Sequence, residues 1–307
     1  MKNERHEFTA QSLEPAGRPG PWRNLGLMAA GLALAFCVPL YELARFAAAS
    51  ELYSYILLVP FVSVYLVWLK WKALPPFSGP ARMPAAALGA AAAALLAAYA
   101  LIRHSAFRLT EDDDLAMTVA AFLLLFAAGC WWFLGKDIVR ALAFPLGFLV
   151  FMVPIPGIVL DGIIFWLQVG SAWAAHLFFI LAGTTFFRDG LVFQLPGFSM
   201  QVAPECSGIH SSLVLFITSS VAGYLFLRSP WRRTILVLAV IPLALLRNGF
   251  RVFVIGELCT HVGPEMIDSP IHRHGGPVFF ALSLIPLFLL LYFLRKSERS
   301  NKNSKPQ

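Results

Sequence analysis

Long apolar stretches alternate with short polar connections along most of the chain. The apolar stretches cover residues 25–41, 53–69, 84–102, 115–134, 141–156, 158–186, 207–227, 233–255 and 277–294. A helix needs roughly 20 apolar residues to cross the hydrocarbon core of a bilayer, and about 17 are tolerated. The pattern therefore predicts an all-α fold, namely a polytopic membrane helix bundle. With the charge argument given below, we expect about eight transmembrane helices.

Polar segments flank this predicted bundle. Residues 1–24 are mixed in charge and contain several prolines, so we expect a disordered cytoplasmic tail there. Residues 295–307 are rich in Lys and Arg, and we expect them to form a basic cytoplasmic tail. Residues 25–294 then make one integral membrane domain. The long polar leader, together with Glu42 and Arg45, favours a retained first helix over a cleaved signal peptide.

The composition excludes several protein classes. The chain has 307 residues, of which 58% are hydrophobic and 13% are charged, whereas soluble domains have about 25% charged residues. A soluble enzyme, a disordered chain and a nucleic-acid binder are therefore excluded, because lipid must cover so much apolar surface. The net charge of +7 comes mainly from Lys and Arg in short loops and tails, where such residues set membrane topology. The four cysteines are too scattered for a disulfide framework.

The basic residues also constrain the topology, because they should face the cytoplasm. They lie in the two tails and at residues 70–82, 136–140 and 228–233. Three apolar stretches separate the last two of these groups, and an odd number breaks the rule. We therefore expect that one of 141–156 and 158–186 does not cross fully. If 158–186 stays at the outer face, Cys206, Arg251 and His272 all come close to the outer membrane surface.

Three polar clusters interrupt the apolar pattern, and such residues are functional candidates because they cost free energy in a membrane. They are residues 204–212 with Glu205, Cys206 and His210, residues 247–251 with Arg247, Asn248 and Arg251, and residues 272–276 with His272 and His274. Cys206 precedes a predicted helix, whose free N–H groups lower the pKa of a thiol. A thiolate, a His that protonates the leaving amine and a cation near the oxyanion together complete an acyl-transfer apparatus.

The same clusters resemble the motifs of the exosortase/archaeosortase family of multi-pass membrane cysteine transpeptidases. The matching motifs are Cys206-Ser207-Gly208, Asn248-Gly249-Phe250-Arg251, and His272-Arg273-His274-Gly275-Gly276 followed by Phe280. The segment from Phe144 to Pro156 is similar to the family's FPL…PxP stretch, and residues 53–68 are similar to its early helix. The resemblance covers roughly residues 50–295.

The resemblance implies an enzyme of the cytoplasmic (inner) membrane of a prokaryote, with its site on the outer, periplasmic side. Such enzymes cleave C-terminal sorting signals of exported proteins, which combine a PEP-CTERM-type motif, a transmembrane helix and a basic cluster. Cys206 is then the nucleophile, Arg251 stabilises the oxyanion or substrate, and His272 is the general acid/base. The expected supporting residues are Asn248, Ser207, Gly208, Gly276, His274 and His210. The acyl acceptor is left open among water, a lipid amine and a glycan.

Several alternatives stay open at this point. His274 competes with His272 as the acid/base, although only His272 has Gly276 at the family's offset. Arg251 could instead pair with Glu257, and Cys206 could pair with Cys259. No compact metal-ligand motif is present, and we expect no metal, no cofactor and no nucleic-acid partner, while membrane lipids are expected partners. A transporter and a non-catalytic scaffold of an exopolysaccharide export system are the competing functions.

Overall fold

The computed structural model describes residues 20–105, 109–204, 207–263, 265–266 and 276–303, and side chains in the last segment up to residue 299. Within these ranges, seven helices are long and apolar enough to cross a membrane, or up to eight if one bent pair is a single span. The predicted all-α polytopic bundle is therefore confirmed, and the chain is a multi-pass membrane protein.

The structure describes eleven α-helices. They are α1 (Pro21–Ala35), α2 (Cys37–Ala49), α3 (Val59–Lys70), α4 (Arg82–His104), α5 (Glu111–Ala141), α6 (Ala143–Phe148), α7 (Gly157–Ala182), α8 (Ile209–Phe226), α9 (Pro230–Leu238), α10 (Val240–His261) and α11 (Gly276–Asn303), with 3-10 helices at Ser54–Leu58, Trp71–Ala73 and Leu149–Met152. The bent pair is α1 and α2, which meet at 74°. Helix α1 begins inside the expected tail 1–24, and α11 extends beyond the apolar stretch that ends at residue 294.

A small antiparallel sheet, which the apolar pattern did not predict, follows α7. Its strands are β1 (Phe187–Asp189), β2 (Val192–Leu195) and β3 (Phe198–Gln201), in the order β1-β2-β3. Two-residue turns join them, and each turn contains a glycine with positive φ, Gly190 or Gly197. Tight hairpin turns favour such residues because glycine adopts positive φ without steric cost. Phe193 and Leu195 of β2 are buried against α7 and α10, so the sheet covers one end of that helix pair.

The segment between α5 and α7 returns along the length of α5. At one end, the Lys70 Nζ donates to the Ala141 carbonyl at 2.9 Å. At the other end, the Gly157 N–H donates to the Asp113 Oδ1 at 3.0 Å, close to the first turn of α5. Helix α5 is kinked at Gly135, with φ 77° and ψ 177°, and residues 111–134 before the kink correspond to about 36 Å of helix. Residues 142–156 therefore connect opposite ends of α5 although α6 is short.

Helix α8 runs opposite to this returning segment. The Phe144 and Tyr224 rings stack with centroids 4.0 Å apart, and the Phe151 and Phe216 rings meet at 6.0 Å. The start of α8 is therefore at the same end of the bundle as Gly157, and the excursion from Gly157 through α7 and the sheet begins and ends there. Helix α7 has the length and apolarity of a span. We expect α7 to stay at the outer face, so that the chain returns to the end where it left the bundle. This position of α7 stays a prediction.

Helices α7 and α10 pack in parallel. A Cβ on Gly170 would lie 2.7 Å from a Leu245 methyl, and a Cβ on Gly256 would lie 2.6 Å from the Phe179 ring. Later residues of α7 thus contact later residues of α10, so the two helices run in the same direction. Two glycines at one interface allow close backbone approach, which is the usual way that membrane helices pack. This pairing determines where the polar residues of α10 lie.

Candidate functional site

The first feature of the site is the turn that starts α8. The Ser207 N–H donates to the Pro204 carbonyl at 3.0 Å. Gly208 then caps the helix in the left-handed conformation, with φ 71° and ψ 21°. The predicted nucleophile Cys206 and its neighbour Glu205 lie outside the described residues, but Cys206 is bonded directly to Ser207. The turn therefore supplies the fixed point to which Cys206 is attached.

The carbonyl of Gly208 is the most heavily hydrogen-bonded group in this turn. It accepts from the Ser212 backbone N–H at 3.0 Å and from the Ser212 hydroxyl at 2.7 Å. The Ser211 hydroxyl donates to the same oxygen at 3.1 Å. The Arg247 Nη2 completes the set at 3.1 Å and also lies 3.3 Å from the Ser212 Oγ. A guanidinium from α10 is therefore bound directly to the first turn of α8.

Arg247 is the one buried charged side chain in the described part of the chain, with 7% of its surface exposed. Burying a charge costs several kcal/mol unless hydrogen bonds compensate. Nη2 has its two acceptors, whereas Nη1 is buried without an acceptor among the described residues. The Ser207 hydroxyl is likewise buried without a described partner. These two polar atoms, Arg247 Nη1 and Ser207 Oγ, thus have hydrogen-bonding capacity that the described residues do not use.

Asn248 joins the same turn to α7. Its Nδ2 donates to the Ser171 Oγ at 3.0 Å, and both residues are buried. On its other side, a Cβ added to Gly208 would lie 3.0 Å from the Asn248 Oδ1 and 2.8 Å from the Arg247 Nη2. Gly208 is therefore required both for its positive φ and for space. This gives a physical reason for glycine at the third position of the Cys-Ser-Gly motif.

Gly249 is the point where α10 touches the backbone of α7. A Cβ at this position would lie 2.4 Å from the Ala174 Cβ, 2.8 Å from the Ala175 nitrogen and 2.9 Å from the Ser171 carbonyl oxygen. Such distances are below any ordinary carbon contact, so a side chain would push α7 away. Close approach at Gly249 also brings Ser171 within hydrogen-bond reach of Asn248.

Arg251 lies one turn after Arg247 and therefore on the same face of α10. It is half-buried, and its Nε is inaccessible to solvent. Phe250, its neighbour, contacts Phe279 of α11 with ring centroids 6.2 Å apart. Gly276, the last position of the third motif, is the first residue of α11. The described parts of all three motifs therefore lie on three helices that pack together. His272 and His274 lie outside the described residues.

Two further residues singled out from the sequence, Glu257 and His210, are among the described ones. Glu257 accepts a short hydrogen bond from the Thr184 hydroxyl and lies 3.1 Å from the His261 Nε2, so its described partners are Thr184 and His261. His210 is exposed on the first turn of α8, which excludes a core role. No group of three or more metal-ligating side chains forms among the residues with described positions.

Sequence reasoning left the contacts of three residues unassigned. Ser171, which binds Asn248, is a single serine in an apolar helix, and nothing local marks it. Ser212 lies in the first polar cluster, but the sequence does not indicate its bond to Arg247. Gly249 stands inside the Asn-x-x-Arg motif, where only its close contact with α7 gives it a role. Arg247 belongs to the second polar cluster, and its bond to Gly208 identifies what it orients. A polar residue on one helix finds its partner only when the helix pairing is known.

A matched pair of glycines tests the contact between Gly208 and α10. Gly208 and Gly183 both have φ near +70°, but a Cβ at Gly183 meets nothing within 4 Å. We expect that each Gly→Ala substitution lowers the free energy of unfolding by about 1–2 kcal/mol, because alanine is strained in the left-handed conformation. Gly208→Ala should lose more, because it also displaces Arg247 and Asn248. Thermal unfolding in detergent measures the difference, and equal melting temperatures for the two variants would contradict the contact.

The approach of α10 to α7 is tested by adding a methyl group at Gly249. Gly249→Ala should lower the free energy of unfolding by about 1–3 kcal/mol, because overpacking forces the helices apart. Gly162→Ala in α7 is the control, since a Cβ there meets nothing within 4 Å. That control should be neutral or slightly stabilising, as Ala favours helices more than Gly. Intrinsic tryptophan fluorescence during heating reports both, and a neutral Gly249→Ala would show that the helices are not in backbone contact.

Comparison with known proteins places this arrangement in a family. No curated protein and no solved structure matches the chain. A family model described as transmembrane exosortase matches residues 44–289, which is most of the chain and includes the turn before α8, the polar cluster of α10 and the start of α11. The resemblance expected from three motifs is thereby confirmed, and this chain belongs to the transmembrane exosortase family.

Proposed function

We propose that this protein is a membrane cysteine peptidase and transpeptidase that cleaves C-terminal sorting signals of the PEP-CTERM type from exported proteins. Its site would face the outer side of the inner membrane. The observation that carries the proposal is the hydrogen bond between Arg247 and the Gly208 carbonyl, across 39 residues of sequence. It brings the Cys-Ser-Gly turn against the polar cluster of α10, as a shared active site requires.

The distribution of buried polar groups supports chemistry at one place over transport through the bundle. Away from the site, the buried polar side chains of the described chain bond to backbone carbonyls. These pairs are Ser63 with Pro145, Thr118 with Asp114, Gln168 with Val202, Ser219 with Phe216 and Ser283 with Phe280. A transport path would need polar groups along its length. Here the buried Asn248 bonds to the side chain of the buried Ser171, and the buried Arg247 bonds to the half-buried Ser212, both at the site.

The proposed first step is acylation of Cys206. Its thiolate sulfur forms a bond with the scissile carbonyl carbon, and the carbonyl oxygen becomes an oxyanion. Arg251 lies near this charge and stabilises it, which is worth more in a site that excludes water than in solution. The C–N bond then breaks, the amine takes a proton from His272, and a thioester to Cys206 remains. Arg247 holds the turn that bears the nucleophile.

The second step transfers the acyl group. An acceptor hydroxyl, amine or water attacks the thioester carbon and gives up its proton to His272. The C–S bond breaks and the thiolate of Cys206 is restored, so that the enzyme is unchanged overall. Because a start of α8 near the membrane surface would meet both lipid and water, the transmembrane helix of the substrate can remain in the bilayer during both steps.

The nucleophile is tested in cells that express this protein with a tagged substrate from the same genome. The substrate carries a C-terminal motif, a transmembrane helix and a basic cluster, and a gel shift reports its cleavage. Cys206→Ala should abolish cleavage at equal membrane abundance, whereas Cys37→Ser, which changes an exposed cysteine, should leave it unchanged. Hydroxylamine should release substrate from the wild type, since it cleaves thioesters. Cleavage by Cys206→Ala would disprove the mechanism.

Arg251 is tested by a change that retains its charge. Arg251→Lys should lower the rate of cleavage about 10²- to 10³-fold, because a lysine offers no planar pair of donors to the oxyanion. Arg103→Lys, at an exposed arginine of α4, is the control and should retain the wild-type rate. Rates measured with a purified, reconstituted protein separate this effect from abundance. An unchanged rate in Arg251→Lys would remove Arg251 from the proposed mechanism.

A further inference from the structure

The end of α8 farthest from the candidate site borders a cavity of about 470 Å³. Arginines from three elements line it, namely Arg228 after α8, Arg233 of α9, and Arg295 and Arg299 of α11, together with Tyr224 and Glu298. None of these residues takes part in the chemistry proposed above. The cavity therefore needs its own explanation.

Its depth in the membrane follows from the length of α8. The helix has 18 residues, which correspond to about 27 Å, close to the roughly 30 Å of a hydrocarbon core. With the site at one surface, the cavity lies at the level of the headgroups of the opposite leaflet. Trp231 and Tyr292 are exposed nearby, and such amphipathic rings favour the membrane–water interface.

The charge of the cavity is strongly positive, since its lining holds four arginines and one glutamate. The Glu298 carboxylate is already occupied. It accepts from the Arg228 and Ser229 backbone N–H groups and forms an ion pair with Arg232, which does not line the cavity. None of the four lining arginines has an ion pair with a carboxylate in the described part of the chain. Their guanidinium groups remain available for an anion.

Two of the guanidinium groups are held in place before any ligand binds. The Arg233 Nε donates to the Leu227 carbonyl at 2.9 Å, and its guanidinium lies 5.2 Å from the Tyr224 ring centroid. Arg295 lies 5.6 Å from the Phe226 ring centroid. Preorganisation of this kind lowers the entropy cost of binding. The Tyr224 hydroxyl is buried without a hydrogen-bond partner among described residues, so it offers a further donor.

An apolar groove of about 420 Å³ adjoins the cavity and shares Leu225 and Phe226 with it. The groove follows α8 through Val221 and Ile217, between α3 and Phe288 of α11. A phosphate-sized anion fits the cavity alone, but it leaves the groove unused. A phospholipid fills both, with its phosphate among the arginines and one acyl chain along α8.

We infer that this cavity and groove form a binding site for one anionic phospholipid, whose headgroup phosphate contacts Arg233, Arg295 and Arg299. Guanidinium groups bind phosphate through paired, charge-assisted hydrogen bonds. Basic pockets between membrane helices bind anionic headgroups in the same way. The surplus of positive charge selects an anionic lipid over a zwitterionic one, whose ammonium group the arginines repel.

The test measures lipid binding to the delipidated, full-length protein in detergent by native mass spectrometry. Phosphatidylglycerol and phosphatidylcholine with the same acyl chains are titrated separately, and inorganic phosphate is added as a competitor. We expect saturable binding of one phosphatidylglycerol, at least about tenfold tighter than phosphatidylcholine. Millimolar inorganic phosphate should not displace it.

Matched variants distinguish this site from a general attraction to basic residues. Arg295→Gln/Arg299→Gln removes two exposed charges from α11 and should weaken phosphatidylglycerol binding about tenfold or more. Lys136→Gln/Arg140→Gln removes two exposed charges from α5 at the same end of the bundle and should leave binding unchanged. Val221→Phe, which fills the groove, should weaken binding while all four arginines are retained. Melting temperatures without added lipid confirm that each variant is folded.

Three results would overturn the inference. Equal binding of the two lipids, or equal losses in the α11 and α5 double variants, would show that the arginines only set topology. Displacement by inorganic phosphate with no effect of Val221→Phe would show an anion site that does not hold a lipid. The cleavage activity is not used in this test, so its outcome is separate from that of the proposed enzymatic function.

Discussion

The hydrogen bond from Arg247 to the turn before α8 is the interaction on which the site depends. In a medium that excludes water, a guanidinium must find oxygen acceptors, and leaving a buried donor without its acceptor costs about 1–3 kcal/mol, or more when the donor is charged. Arg247 finds the Gly208 carbonyl and the Ser212 hydroxyl. The hydrogen bonds that stabilise the buried guanidinium therefore also fix the position of α10 relative to α8. Gly208 and Gly249 allow the close approach that this bond needs.

The apolar pattern was sufficient to predict the class of fold, because the bilayer imposes a length on every span. It did not predict the sheet at residues 187–201, since its strands are only three or four residues long. Their signal is confined to two glycine turns. The first and last helices extend beyond the predicted apolar stretches, α1 at its start and α11 at its end. Polar residues such as those at 295–303 can continue a helix into the headgroup region.

For the site, the sequence identified the motifs but not what joins them. Cys-Ser-Gly and Asn-x-x-Arg stand out because polar residues are rare in membrane helices. Their relation in space depends on Ser171 and Gly249, which look ordinary in sequence. The parallel pairing of α7 and α10 is a second such case, because the sheet, α8 and α9 separate the two helices in sequence. Only the contacts of Gly170, Gly249 and Gly256 reveal it.

This parallel pairing has a consequence for biosynthesis. Helix α7 leaves the ribosome well before α10, and the sheet, α8 and α9 are made in between. The turn before α8 therefore enters the membrane without Arg247, its partner 39 residues later. Until α10 is inserted, the segment that carries Cys206 lacks this guanidinium and cannot adopt its final bonded geometry. Assembly order thus delays the contact between the turn before α8 and α10 until most of the chain has been translated.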